Sequence, residues 1–305
     1  MAVWHQAWNE YRGWAKRSRE LNASTQRWNI AALSCTVAAA LLGAAAALPN
    51  LSAEQGVGKG LALAATIVAG AGAYLGRQLL ATEDETNARL ARATGEGIKS
   101  ECFRFAAKAG AYAAEDPGQT FLDKVALISK PAEGKGILRA DGDVAEGDDK
   151  REPIADMSKD WYVKGRIEDQ KNYFKTAIAK QSARLQRLWW VSFLSGLAAV
   201  IFGGLGTLVS TGLAPWVGAM TTVVAAVTAA GLIDRRKYLV ASYEASRSSL
   251  SRIQQLDAIK PMSLPDLATA VEDLLEGEHK AWYSQMTTGG AGATAGGASA
   301  NGAGQ

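Results

Sequence analysis

The side chains that usually carry enzyme chemistry are few in this chain and badly spaced for it. Its histidines are His5 and His279 and its cysteines are Cys35 and Cys102, so no His/Cys cluster is available to hold zinc. Glu278-His279 lacks the second histidine of a zinc-protease helix. Gly56-Val57-Gly58-Lys59-Gly60 resembles a phosphate cradle but lacks its full spacing and the Ser/Thr after the lysine, so it reads as a turn. No Gly-x-Ser-x-Gly elbow occurs. The expectation is a protein that is not an enzyme, with no catalytic, metal-binding or cofactor-binding residues. The hydroxyls of Ser192, Ser195, Thr221, Thr222 and Thr228 lie in apolar sequence and would suit the wall of a pore. The alternative is a hydrogen bond to a carbonyl of their own helix.

Those hydroxyls sit in a run of 46 residues, Leu188 to Ile233, without one Asp, Glu, Lys or Arg. Pro215 and the cluster Gly206, Thr207, Ser210, Thr211, Gly212 divide it near the middle. Each half approaches the ~20 residues needed to cross ~30 Å of hydrocarbon, and a soluble helix would keep a polar face that this run does not have. Residues Trp28–Gly76 repeat the layout, carrying only Glu54 and Lys59 as charges, both in the turn Pro49–Gly60. The predicted fold is all-α: an integral membrane protein with four transmembrane helices in two hairpins, extended by long cytoplasmic, coiled-coil-like helices. The spans fall at about 28–48, 61–80, 188–208 and 214–233. Small residues recur every four positions: Ala32, Thr36, Ala40, Ala44; Gly72, Gly76; Gly218, Thr222, Ala226, Ala230. Such stripes let helices approach closely, within one chain or between copies of a homo-oligomer. Apart from Arg77 the spans are uncharged, which argues against a pump or an ion-coupled transporter.

Net charge is +3, and 33 Lys and Arg are distributed unevenly. All but Lys59 lie before residue 28, between 77 and 187, or after 233. The positive-inside rule therefore places both termini and the middle segment in the cytoplasm, with the two turns outside. The basic residues report topology, and no nucleic-acid module accompanies them, so no nucleic acid is expected as a partner. Two unpaired cysteines fit a reducing compartment. The 27 residues before the first apolar run are patterned like a helix, which suits a retained anchor better than a cleaved signal peptide.

Trp4, Trp8, Tyr11 and Ala15 mark one helical face near the N-terminus. Ile98, Cys102, Phe105, Ala109 and Tyr112 form a heptad-like seam, as do Ile167, Phe174, Ile178, Gln181, Leu185 and Leu188. Residues 116–157 are dense in charge and glycine and read as a flexible linker with at most a short helix at Thr120–Ser129. Ser263 with Asp266 is a capping pair for a last helix, and 287–305 is a Gly/Ala tail expected to be disordered. Gln26-Arg27-Trp28 and Gln186-Arg187-Leu188-Trp189 open two similar halves, 1–115 and 158–286, which enter from the same side as parallel repeats.

Arg92-Ala93-Thr94-Gly95-Glu96-Gly97-Ile98-Lys99-Ser100-Glu101-Cys102-Phe103-Arg104-Phe105 resembles the helix after the membrane hairpin in the bacterial SLATT family, the SMODS- and SLOG-associating two-transmembrane effectors. Tyr162, Arg166-Ile167, Gln170 and Tyr173-Phe174 are similar to the entry helix of a second SLATT subtype. Glu272, Leu275, Glu278 and Trp282 are similar to that subtype's closing helix. The resemblance implies a tandem of two SLATT units, acting as a membrane effector in bacterial conflict or antiphage systems. A nucleotide signal, or a partner protein that makes or senses one, would trigger it to oligomerise and perforate or depolarise the inner membrane. The resemblance brings no catalytic residues. Its shared polar positions, Arg92, Glu96, Lys99, Arg104, Arg166 and Gln170, would either bind a signal or bridge helices. The rival readings are a non-conducting scaffold that recruits a cytosolic partner and, third, a small-solute transporter.

Overall fold

In the computed structural model the fold is all-α over the residues described, which are 3–48, 55–81, 83–114, 116–140, 152–208, 213–229 and 232–288. The helices are α1 (Val3–Ala46), α2 (Gln55–Ala81), α3 (Asp84–Ala106), α4 (Gly118–Gly134), α5 (Lys159–Tyr162), α6 (Asp169–Leu208), α7 (Ala214–Ala229), α8 (Leu232–Ile259) and α9 (Leu264–Thr288). A π-helical turn, Val163–Glu168, joins α5 to α6. Local signals account for several boundaries. Ser158 Oγ accepts the Trp161 N–H at the start of α5, and Ser263 Oγ accepts the Asp266 N–H at 3.3 Å while donating to its carboxylate at 2.6 Å. The second pairing is the cap its spacing predicts.

Two compact units are assembled from interleaved segments. One comprises Met1–Asn22, Asp84–Lys175 and Glu244–Gln305; the other comprises Ala23–Glu83 and Thr176–Tyr243. The first, the polar unit, is built like a water-soluble protein. Trp8, Trp14, Phe103, Tyr112, Phe121, Tyr162 and Phe174 are fully buried there with Ile98, Ile167, Leu250, Leu267 and Leu275. Trp8 meets Phe103 edge-on at 5.9 Å, and Phe105 meets Phe121 at 4.6 Å. Each such side chain contributes ~1.5–3 kcal/mol by burial, and a well-oriented pair adds ~0.5–1.5 kcal/mol.

The second unit inverts that pattern. Ile30, Leu63, Ile67, Trp189, Trp190, Phe193, Leu194, Val200 and Ile201 are exposed, and what is buried is mostly small: Ala44, Ala199 and Ala219. Three helices, Val3–Ala46, Gly56–Gln78 and Lys159–Gly206, are long and apolar enough to cross a membrane, yet only 6% of the apolar stretch of each is buried. So much bare apolar surface would aggregate in water, whereas in hydrocarbon it is solvated and the helices satisfy their own backbone groups. The chain is a multi-pass membrane protein.

Of the expected fourth span, 214–233, the residues Ala214–Ala229 and those from Leu232 onward are helical. Residues 230 and 231 lie outside those described. The glycine-rich segment Gly56–Gly60, read as a turn, belongs to the first turns of α2. Glycine weakens a helix by only ~1 kcal/mol per residue, and an uninterrupted backbone ladder outweighs that.

The linker read at 116–157 also needs revision. Its first part is α4, which packs on α3 through Phe121, Val125, Ser129 and Ala132. Its last part is also tied down: Trp4 Nε1 donates to Pro153 O at 3.1 Å, and His5 Nδ1 lies 2.8 Å from Glu152 Oε1. Charge and glycine content masked three apolar positions at helical spacing, Phe121, Val125 and Ala132. Residues 141–151 of that segment, and the tail from 289 onward, lie outside the described residues.

Within the second unit α1 and α2 touch where one small-residue stripe faces the other. A Cβ on Gly72 would stand 3.0 Å from Cys35 Cβ and 3.6 Å from Ala32 O, so any side chain there requires α1 and α2 to give by a few tenths of an ångström. Gly76 and Gly218 meet nothing.

Candidate functional site

Three helix faces of the polar unit converge on a cavity of about 280 Å³. Tyr11, Ala15, Ser18, Arg19 and Asn22 come from α1; Arg92, Gly95, Glu96 and Lys99 come from α3; Asp169, Gln170, Tyr173 and Phe174 come from α6. Each set follows the three-to-four spacing of one helical face. Two contacts fix the walls. Ser18 Oγ donates to Ala88 O at 2.8 Å, holding α1 on α3. At Gly95 an added Cβ would lie 3.3 Å from Trp14 Cβ and 3.4 Å from Tyr11 O, so its missing side chain is what allows the two helices to close.

The lining is mixed in charge. Arg92 Nη2 donates to Tyr173 Oη at 3.2 Å across the mouth. Lys99 Nζ lies 5.3 Å from the centre of the Tyr11 ring and 3.9 Å from Glu96 Oε2. Lys99 and Gln170 are each 8% exposed, so both are buried polar side chains that face the cavity.

Beside the cavity lies an ion network with no exposure at its centre. Glu272 of α9, 0% exposed, accepts four hydrogen bonds. Arg166 supplies two, Nε to Oε1 at 2.8 Å and Nη2 to Oε2 at 2.6 Å. Tyr162 Oη donates to Oε1 at 2.9 Å and Ser100 Oγ to Oε2 at 2.8 Å. The Arg166 guanidinium also lies over the Phe103 ring, 4.5 Å from its centre. Burial opposes the charge on Arg166, but the Glu272 carboxylate outweighs it and keeps the guanidinium protonated. Burial first, and the same carboxylate second, push the Tyr162 hydroxyl well above its usual range. The π turn carries Arg166 and Ile167 together into the interior. Such turns shift helical register by one residue and often occur at functional positions.

A second network starts from Arg104, which donates to Glu101 on its own helix and to Asp273 and Glu276 on α9 at 2.6 and 2.9 Å. Tyr112 Oη donates to the other oxygen of Glu101, and Lys124 Nζ lies 3.6 Å from it. Burial, then that hydrogen bond, push the Tyr112 phenol up. Cys102 is buried between these groups; burial, then the carboxylates of Glu152 and Glu101, push its thiol well up.

The six polar positions singled out in the sequence thus separate. Arg92, Glu96, Lys99 and Gln170 line the cavity, whereas Arg104 and Arg166 bridge α3 and the π turn to α9. Sequence reasoning missed the α1 wall, although continuing the Tyr11, Ala15 spacing to Ser18 and Asn22 would have found it. It also overlooked Glu272 as the hub. Among the expected pore hydroxyls, Thr221 donates to Val217 O and Gly218 O, Thr222 to Gly218 O and Thr228 to Val224 O, all on their own helix. Ser192 Oγ is buried without a hydrogen-bond partner among the described residues. Ser195 is half-buried on α6, the helix that also carries Ser192. Cys35 and Cys102 are both free. The side chains of Glu278 and Trp282 lie outside those described.

No curated protein and no solved structure shows a significant match to the chain. Residues 6–119 match a family described as a protein of unknown function, DUF4231, and not a first SLATT unit, which corrects the expected tandem. Residues 162–282, which run from Tyr162 through Arg166 and the α6–α7 apolar pair to Glu272, match the SMODS and SLOG-associating 2TM effector domain 1, so the chain carries one SLATT domain preceded by a DUF4231 domain.

Proposed function

We propose that this protein is a non-enzymatic effector of a bacterial conflict or antiphage system, seated in the inner membrane with both termini and the polar unit in the cytoplasm. In this reading a nucleotide-linked signal, or a partner that senses or makes one, acts on the polar unit, and copies of the chain assemble and perforate or depolarise the membrane. The observation that carries it is a coincidence over one stretch: residues 162–282 match a two-transmembrane effector domain and contain α6, whose apolar surface is bare. The placement of basic residues supports the orientation. A signal can drive the change only by binding one arrangement of the bundle more tightly than the other.

The test follows membrane potential in bacteria expressing the full chain with its neighbouring genes during phage challenge. Depolarisation with growth arrest is expected, and unchanged potential with normal growth refutes the effector role. Purified protein in liposomes separates this from a second reading, a non-conducting scaffold that recruits a cytosolic partner. That reading is favoured by Thr221, Thr222 and Thr228, whose hydroxyls are occupied by their own helix. A scaffold keeps trapped dye inside. A pore releases it, and Thr222→Leu or Ser195→Leu then alters the release. A small-solute transporter has less support, because apart from Arg77 the apolar runs carry no intramembrane charge to couple transport.

A further inference from the structure

Two side chains on the walls of the polar cavity, Lys99 and Gln170, have hydrogen-bonding capacity directed at the cavity. Lys99 is 8% exposed, makes no hydrogen bond among the described residues, and its ion-pair partner Glu96 stands at the 3.9 Å limit of contact. A buried ammonium is costly unless oxygen atoms surround it. Gln170 is equally buried as a residue and lines the same cavity with its amide donor and acceptor. Both side chains face the same space.

The remaining lining says what would meet that capacity. Arg19, Arg92 and Lys99 face Glu96 and Asp169, so cations outnumber carboxylates in the cavity. Guanidinium and ammonium groups together suit a phosphate, which offers several oxygens and close to two charges. Tyr11, Tyr173 and Phe174 supply aromatic walls. A glutamine amide pairs a donor with an acceptor, matching the edge of a heterocyclic base. At about 280 Å³ the space falls just below the usual range of ligand sites, which begins near ~300 Å³, and so suits a small ligand.

We infer that this cavity binds a phosphorylated, ring-bearing small molecule of mononucleotide size, its phosphate on Lys99 and Arg92 and its ring edge on the Gln170 amide. The site deepens the proposed effector role and rests on that reading only for its consequence, the opening of the membrane. Its position suits that consequence, because ligand contacts on α1, α3 and α6 would tighten three helices at once.

The test is calorimetric titration of the purified full chain in detergent with 5′-AMP, 5′-GMP, adenosine, guanosine and inorganic phosphate. At least one nucleotide binds, more tightly than its nucleoside and than phosphate, and binding weakens with salt. Lys99→Gln and Gln170→Leu each weaken it at least about tenfold, as expected for loss of a buried polar contact. Lys99→Arg retains it, which separates loss of the contact from loss of the fold, and Lys130→Gln on the exposed side of α4 leaves it unchanged. Equal binding of nucleoside, or of phosphate alone, or no binding by any of the five at millimolar concentration, overturns the inference. Dye release with the same ligands distinguishes the two claims: binding without release refutes the effector reading and leaves the site, whereas release without binding refutes the site.

Discussion

Arg166→Met removes the only guanidinium bound to Glu272 among the described residues and leaves that carboxylate, 0% exposed, with Tyr162 and Ser100 as donors. Breaking a buried ion pair from one side costs ~3–5 kcal/mol, because the surviving charge loses its compensation. Arg166 also leaves the face of Phe103, at a further cost of ~0.5–2 kcal/mol. For a domain of ~150–250 residues each kcal/mol lowers Tm by ~2–4 °C, so the ion pair alone predicts a loss of ~6–20 °C. The readout is thermal unfolding of the full chain in detergent, followed through the near-UV signal of the buried Trp8 and Trp14 in the same unit. The double variant Arg166→Met/Glu272→Leu removes both charges and replaces them with apolar groups of similar volume, and should recover most of the loss. The cycle thus returns a coupling of several kcal/mol. A single variant that melts within ~2 °C of the parent, or a double variant whose loss equals the sum of the single ones, would refute the account of Glu272 as a dry, charge-compensated hub.

Other perturbations test other parts of the molecule. Gly72→Cys places a thiol where a Cβ would lie 3.0 Å from Cys35 Cβ; a shift of under ~1 Å reaches disulfide spacing. Mild oxidation should therefore cross-link α1 to α2 in a single chain, visible as a redox-dependent gel shift, and Gly76→Cys should not cross-link. Asp257 is held below the usual carboxylate range by its hydrogen bonds from Lys159 and the Met262 N–H, and Glu168 by those from Gln254 and Lys171. Because these folded-state values are depressed, their stabilisation is present above the ordinary values of 3.8 and 4.5 and is lost as pH falls through the folded ones. Tm should therefore drop on acidification below about pH 4.5, by less in Asp257→Asn than in the parent. Cys102, 0% exposed with its thiol pushed up by burial and nearby carboxylates, should resist maleimide at pH 7 until the polar unit is unfolded; rapid labelling of the native chain would contradict its placement.

Much of the architecture was legible because it is written locally. The absence of charge from Leu188 to Ile233 places apolar helices there whatever surrounds them, since no packing could compensate a helix with no polar face in water. The Ser263 and Asp266 spacing specifies a helix start within four residues. Arg92, Glu96, Lys99 and Gln170 stood out only as polar positions shared with the SLATT resemblance, while the helical face beginning at Tyr11 was visible from its spacing. The misreadings came where local composition opposed tertiary gain. The charged stretch around α4 read as linker because Phe121, Val125 and Ala132 acquire their value only against α3.

What the chain by itself determined, then, is which segments are helical and which of them need a hydrocarbon solvent; periodicity and charge act within a few residues. Tertiary structure alone decided that Tyr11, Glu96 and Gln170, far apart in sequence, share one cavity, and that Arg166 meets Glu272 across 106 positions. It also sorted six similar polar residues into cavity wall and buried bridge. The reason is physical: a helix fixes the direction of its own side chains, but the field and the partners each one meets come from helices that the sequence does not place beside it.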